Sequence, residues 1–309
     1  MKRQILHLSI FLLASLFLYP SNFLYSFDKK KILRVCDLTN DASLRMDPHL
    51  QFDERNHNVL NQIFEHLLEF DIDGSPSPNL ARSWRRLDSH TVQFKLHENI
   101  FFHNGEPCDA SAVKFSLKRN LDPELKSPSY HMVESIKQVD VIDKYTFNIV
   151  TKYPDGILLN RLSEFGYIIP PYYIQMVGDD GFEKHPIGTG PFKFTRWVKG
   201  KELVLVRNEN YWRLGIPRID KIVFKFADAH KRVDMLLRGE LDLITNFESI
   251  ELVKINKNGF KIIKEPSFTI MSINFNLLKR ESPFQDKSVR QAFNYAVDVE
   301  ELIEKVRLA

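Results

Sequence analysis

The stretch from Gly188 to Phe226 constrains the fold of this chain more than any other. It runs Gly188-Thr-Gly-Pro-Phe192, then Trp197, then Arg207-Asn-Glu-Asn-Tyr-Trp212, then Pro217-Arg-Ile-Asp-Lys-Ile-Val-Phe224. The pattern reads as a glycine-rich turn, a strand pair, an aromatic corner and a third strand. It holds no catalytic constellation, so it is scaffold. Gly188 and Gly190 are expected to supply tight turns. They do not form a phosphate loop, because no further glycine and no Lys-Ser or Lys-Thr pair follows at the required spacing. Trp197, Tyr211 and Trp212 fall at strand ends and are expected to staple the strand pair rather than line a cleft.

Strands and helices alternate on either side of this block. Lys31–Asp37 is an apolar strand, and Thr39–Pro48 is irregular. Asp53 is placed to cap a helix whose apolar face is Val59, Leu60, Ile63, Phe64, Leu67 and Leu68, a 3.6-residue period. Asp71-Ile-Asp-Gly74 is a turn; its glycine comes too early for a calcium loop, and Arg82 stands where the bidentate Glu would be. Val92, Phe94 and Leu96 alternate as in a strand, and Asp109 is placed to cap a helix. Val139–Ile142 and Tyr145–Val150 form a hairpin. Further on, Ala229–Arg238 is a helix ended by Gly239, and Asp242–Ile244 a short buried strand. Phe260–Ile263 and Thr269–Phe275 are strands, and Val289–Val306 is a last helix. The order argues an α/β protein, or α+β with mixed sheets.

At 309 residues, with 43% hydrophobic and 27% charged side chains, the chain is long enough for two domains. Residues 1–26 read as a cleaved signal peptide: Lys2 and Arg3 precede an apolar run from Ile5 to Leu18, and Ser21 and Ser26 follow. No Cys marks a lipoprotein. Removing Lys2 and Arg3 lowers the basic count from 43 to 41, against 40 acidic residues, a balance unlike that of a nucleic-acid binder. Cys36 and Cys108 are expected to be buried free thiols. His57, His66, His97 and His103 lack the spacing of a metal site and are expected at the surface. No cofactor, metal site or catalytic residue is expected, and the chain does not read as an enzyme.

Several further segments join the Gly188 block: Asn61-Gln-Ile-Phe-Glu-His-Leu-Leu68, Asn79-Leu-Ala-Arg-Ser-Trp84, Thr91–Leu96, Phe102-His-Asn-Gly-Glu-Pro107, Gly239-Glu-Leu-Asp242 and Pro283–Ala292. In this order they resemble the bacterial extracellular solute-binding proteins of family 5, receptors of ABC importers. The resemblance implies a periplasmic-binding-protein-like fold of two lobes with an inserted domain. Lobe I would be 28–52 plus 187–265, the inserted domain 53–186, and 266–309 the start of a largely missing lobe II. It also implies a monomer that binds peptides in the periplasm and delivers them to permease subunits in the membrane. Ala42, Ser43 and Leu44 would then pair their backbone with an extended peptide, beside Tyr130 and the stretch Thr245, Asn246 and Phe247. Each of these is equally readable as an ordinary loop residue. The groups that hold peptide termini in the family have no counterpart here, so binding by this chain alone is expected to be at least about 100-fold weaker than by a complete member. Alternatives are a non-functional truncated relic, a receptor for nickel or another metal chelate, and, with least support, an exported hydrolase.

Overall fold

The computed structural model describes residues 31–37, 40–53, 56–245, 251–263 and 272–308. The expected signal peptide, Asn246 and Phe247 lie outside them. Two sheets organise the chain. The first has five strands: β1 (Ile32–Cys36), β8 (Phe192–Val198), β9 (Glu202–Arg207), β10 (Lys221–Lys225) and β11 (Leu243–Ile244), in the order β11-β1-β10-β9-β8. β1 runs parallel to both β10 and β11, while β8, β9 and β10 form an antiparallel meander. The helix α6 (Ala229–Leu237) carries the chain from β10 past β1 to β11, and Gly239, at a φ of 70°, turns it out of the helix.

The second sheet has four antiparallel strands, β4 (Ala81–Arg86), β5 (Thr91–Leu96), β6 (Ile136–Val141) and β7 (Thr146–Thr151), in the order β4-β5-β7-β6. Its period-two pattern puts Val92, Phe94 and Leu96 inside, and Phe94 faces Phe147 across the strands with stacked rings 5.4 Å apart. On it packs α2 (Ala110–Asn120) through Val113 and Leu117. Asp109 caps α2 as expected, accepting from the Ser111 and Ala112 amides at 2.9 and 3.2 Å. Smaller elements complete this region: α1 (His57–Leu60), a hairpin of β2 (Leu68–Phe70) and β3 (Pro76–Pro78), α3 (Tyr130–Val133), α4 (Leu158–Glu164) and α5 (Pro171–Lys184). Beyond β11 come α7 (Leu252–Lys257), α8 (Lys287–Ala296) and α9 (Val299–Leu308).

Each sheet has its own core. Ile63, Phe64, Tyr167, Ile169, Ile174 and Phe182 join the core of the five-stranded sheet, not that of the four-stranded one. Cys36 and Cys108 are buried and carry no disulfide, as expected.

Several local expectations fail. The helix expected through Leu68 stops after Leu60 because the carbonyls beyond it are claimed elsewhere. Gln62 O accepts from the Phe192 amide, Ile63 O from Gly190 and Glu65 O from Ile168. Gly188 and Gly190 permit this approach rather than a turn: a Cβ on either would lie 2.0 or 2.6 Å from Ile63 backbone atoms. Tyr211 and Trp212 do not staple their own strands; both donate to the buried carboxylate of Glu65. His66 is buried rather than on the surface, and His103 is enclosed between the Gly188 amide and the Gly190 carbonyl. β11 is an edge strand with Leu243 exposed, not a buried strand. No strand forms at 260–263 or 272–275, and the last helix divides into α8 and α9 at Val297 and Asp298.

Candidate functional site

Parallel strands aim their carboxyl ends at one edge of a sheet, and ligand crevices in α/β folds form there. β1 and β11 end side by side at that edge, paired through Val35–Leu243 and Cys36–Ile244. Asp37 follows β1 directly. Its Oδ2 accepts from Asn58 Nδ2 at 2.6 Å, and its Oδ1 accepts from the hydroxyl of Thr245. Arg232 of α6 joins the two strand ends from below. Its guanidinium donates to the carbonyls of Asp37 at 3.2 Å and Thr245 at 3.0 Å. Only 4% of Arg232 is exposed, and its Nε has no hydrogen-bond partner among the described residues.

The expected ligand-pairing residues Ala42, Ser43 and Leu44 form a turn beside this edge. Asp41 anchors it, accepting from Trp197 Nε1 at 2.6 Å and the Gly200 amide at 2.9 Å. The Leu44 amide donates back to Asp41 O at 3.2 Å, and the Ala42 amide to Asn40 Oδ1 at 3.0 Å. Leu44 is buried in the core, while Ala42 and Ser43 are exposed. Ser43 is held by Asn56 Nδ2, which donates to its carbonyl at 3.3 Å, and by Asp53, which accepts from its hydroxyl at 3.1 Å. Among the described residues, the Ser43 N–H and the Ala42 and Leu44 carbonyls keep no internal partner. The pairing capacity foreseen for three residues thus comes down to one donor, the Ser43 N–H, and two acceptors, the Ala42 and Leu44 carbonyls.

Asn56 and Asn58, two residues apart, connect the turn to the strand ends: one holds Ser43 and the other Asp37. Tyr130 stands at the start of α3, half-buried, with the ring of His131 edge-on at 5.3 Å. The Tyr130 amide donates to the Ser127 carbonyl at 3.2 Å, and it is Ser127, not Tyr130, that reaches the 41–53 segment, its Oγ donating to the His49 carbonyl at 2.8 Å. That segment is anchored at several points. Arg119 grips the buried Asp47 at 2.6 Å, and Glu183 accepts from the Met46 and Asp47 amides. Burial holds His49 neutral, its pKa lowered to about 4, while its ring bridges Arg119 and the Tyr167 carbonyl.

Sequence reasoning missed Asp37, Asn58 and Arg232. An Asp just past a strand was a weak signal; an Arg beside Lys231 reads as a solvated helix face. The assembled groups can hydrogen-bond an extended ligand along its backbone. Among the described residues, no group of three or more His, Cys, Asp or Glu side chains could hold a metal ion.

The profile described as bacterial extracellular solute-binding proteins, family 5 Middle, matches residues 75–308. The glutathione-binding protein GsiB of Pectobacterium atrosepticum is 29% identical over 264 residues, 84% of this chain and 50% of that protein. GsiB of Escherichia coli O157:H7 is 30% identical over 259 residues, 82% of this chain and 50% of its own length. Among solved structures, NikZ from Campylobacter jejuni in complex with Ni(L-His) superposes with a TM-score of 0.78 at 28% identity, covering 89% of this chain and 55% of that one. The periplasmic binding protein DppA from Helicobacter pylori, in complex with the peptide STSA, superposes with a TM-score of 0.72 at 25% identity, covering 89% and 58%. The chain therefore spans about half the length of the curated relatives it matches. With the family profile covering most of its length and the fold shared with these binding proteins, the chain belongs to the bacterial extracellular solute-binding proteins of family 5.

Proposed function

We propose that this chain provides one wall of the ligand site of an ABC-importer substrate-binding protein. The protein takes peptides in the periplasm and passes them to a membrane permease. The observation that carries the reading is the edge built by Ser43, Asp37 and Thr245. There, a fixed turn whose Ser43 N–H and Ala42 and Leu44 carbonyls have no partner among the described residues lies beside two parallel strand ends. Such a site binds through main-chain pairing, which suits peptides of many sequences. The match to glutathione-binding and peptide-bound relatives supports the same ligand class. We assign 28–52 and 187–265 to one lobe, 53–186 to an inserted domain and 266–309 to a second lobe. The two sheets support this division, with Ile63, Phe64 and Phe182 packed across the seam. On this reading the protein does no covalent chemistry.

A second reading, a receptor for metal chelates, rests on the likeness to the nickel-histidine complex. Calorimetric titration of the full chain with tri- and tetrapeptides, and separately with nickel-histidine, separates the two. Peptide binding that is lost when the peptide backbone is N-methylated supports the first. Binding of nickel-histidine with no response to peptides supports the second.

A further inference from the structure

β6 is, with β4, one of the two edge strands of the four-stranded sheet. It pairs with β7 on one side, and on the other has no strand among the described residues. Beside that edge runs a groove of about 630 Å³ between β6 and α2. Its volume is within the range that takes small ligands or a few residues of an extended chain. Its floor is apolar: Leu117 and Leu121 come from α2 and the residue that follows it, Ile136 and Val139 from β6.

Three lysines line the same groove. Lys114 and Lys118 stand one helical turn apart on α2, and Lys137 stands on β6. None of the three has a carboxylate within ion-pair distance among the described residues. The two aspartates of the groove are engaged locally: Asp122 accepts from the Glu124 amide at 3.0 Å, and Asp140 accepts from Gln138 Nε2 at 2.9 Å. A lysine on an edge strand commonly serves to repel chance strand pairing. That explains Lys137 alone. It does not explain two further unpaired lysines brought by the helix to the same concave, apolar-floored surface.

We propose that this groove is a docking site for an extended acidic segment of another protein, which adds to the sheet as a fifth strand along β6. The main chain of the segment pairs with the outer edge of β6. The side chains of the segment that point toward α2 form one row, in which apolar groups rest on Leu121 and Val139 and carboxylates in the same row face Lys114 and Lys118 at the rim, with Lys137 at the strand edge. The site lies on the four-stranded sheet, whereas the ligand edge is on the five-stranded one, so it is independent of the peptide-import reading.

The test uses the full chain and a fluorescent eight-residue peptide, Thr-Val-Thr-Glu-Thr-Val-Thr-Glu, which puts Val and Glu on one face of an extended strand, followed by anisotropy at low salt. Binding is expected. It should fall about tenfold in Lys118→Glu/Lys137→Glu, whose folding is checked by circular dichroism, as for two exposed ion pairs lost. It should vanish when alternate peptide amides are N-methylated, which removes strand pairing and leaves the charge unchanged. It should also vanish when Lys replaces Glu in the peptide. No binding up to about 1 mM overturns the proposal. So does binding that survives N-methylation, or that is unchanged in the double variant.

Discussion

Gly190 shows how one residue can govern a segment far from it in sequence. Its amide donates to Ile63 O at 2.8 Å, and its missing side chain lets the two backbones approach that closely. Gly190→Ala should therefore push the Gly188–Phe192 segment off 62–65 and cost about 1–3 kcal/mol, measured as a lower urea midpoint. Three histidines make the fold sensitive to acid. Burial lowers His49 and His103 to about 4 and His66 to about 3, from 6.5. A histidine with a depressed folded pKa binds fewer protons folded than unfolded. Its contribution is thus complete above about pH 6.5 and is lost as the pH falls toward 4. A tenfold difference in proton affinity between the folded and unfolded chain is worth about 1.4 kcal/mol, so the urea midpoint should drop steeply across that window. His66→Phe, which keeps a ring against Tyr167 and removes the orphaned Nε2, should flatten the drop. A midpoint with the same pH dependence in the variant would contradict this assignment. Arg232→Met would remove the hydrogen bonds that Arg232 gives to the Asp37 and Thr245 carbonyls and should cost about 1–3 kcal/mol in the same assay.

At the scale of elements, what could be read in the sequence depended on whether local pattern or distant partners decided the outcome. β5, β6 and β7 were legible, because alternation puts Phe94, Val139 and Phe147 inside whatever the rest of the chain does. The length of α1 was not. Periodicity continued to Leu68, but the Gln62, Ile63 and Glu65 carbonyls pair with residues more than 100 positions away. The division between α8 and α9 follows from Asp298, whose Oδ1 accepts from the Glu301 amide at 2.9 Å and starts a new helix. The apolar pattern ran across this point and concealed it. α8 has no buried residue, and in α9 Leu302 and Ile303 are 48% and 43% exposed. Hydrogen exchange in 287–305 should accordingly be much faster than in β9, where Leu203, Val204 and Leu205 are buried. Equal protection in the two regions would show that α8 and α9 are held by more than their visible contacts.

Across the whole molecule, the ordered motifs from Asn61 to Ala292 made the family legible, and periodicity and spacing alone would have yielded only the expectation of an exported α/β protein. The candidate site was legible in part. Ala42, Ser43, Leu44 and Thr245 came from the resemblance, but only the structure shows that Asp37, Asn58 and Arg232 lock the ends of β1 and β11 and that two of the three turn amides are already engaged. No periodicity predicts a hydrogen bond between residues 37 and 245. The central claim is that ligand binds by main-chain pairing at this edge. The most direct measurement is hydrogen–deuterium exchange of the full chain with and without a tetrapeptide whose binding has been confirmed by calorimetry. Main-chain pairing predicts slowed exchange in 41–44, centred on the Ser43 amide, and at Thr245, with β6 unchanged. Bound peptide that leaves the exchange of 41–44 and Thr245 unaltered would contradict it.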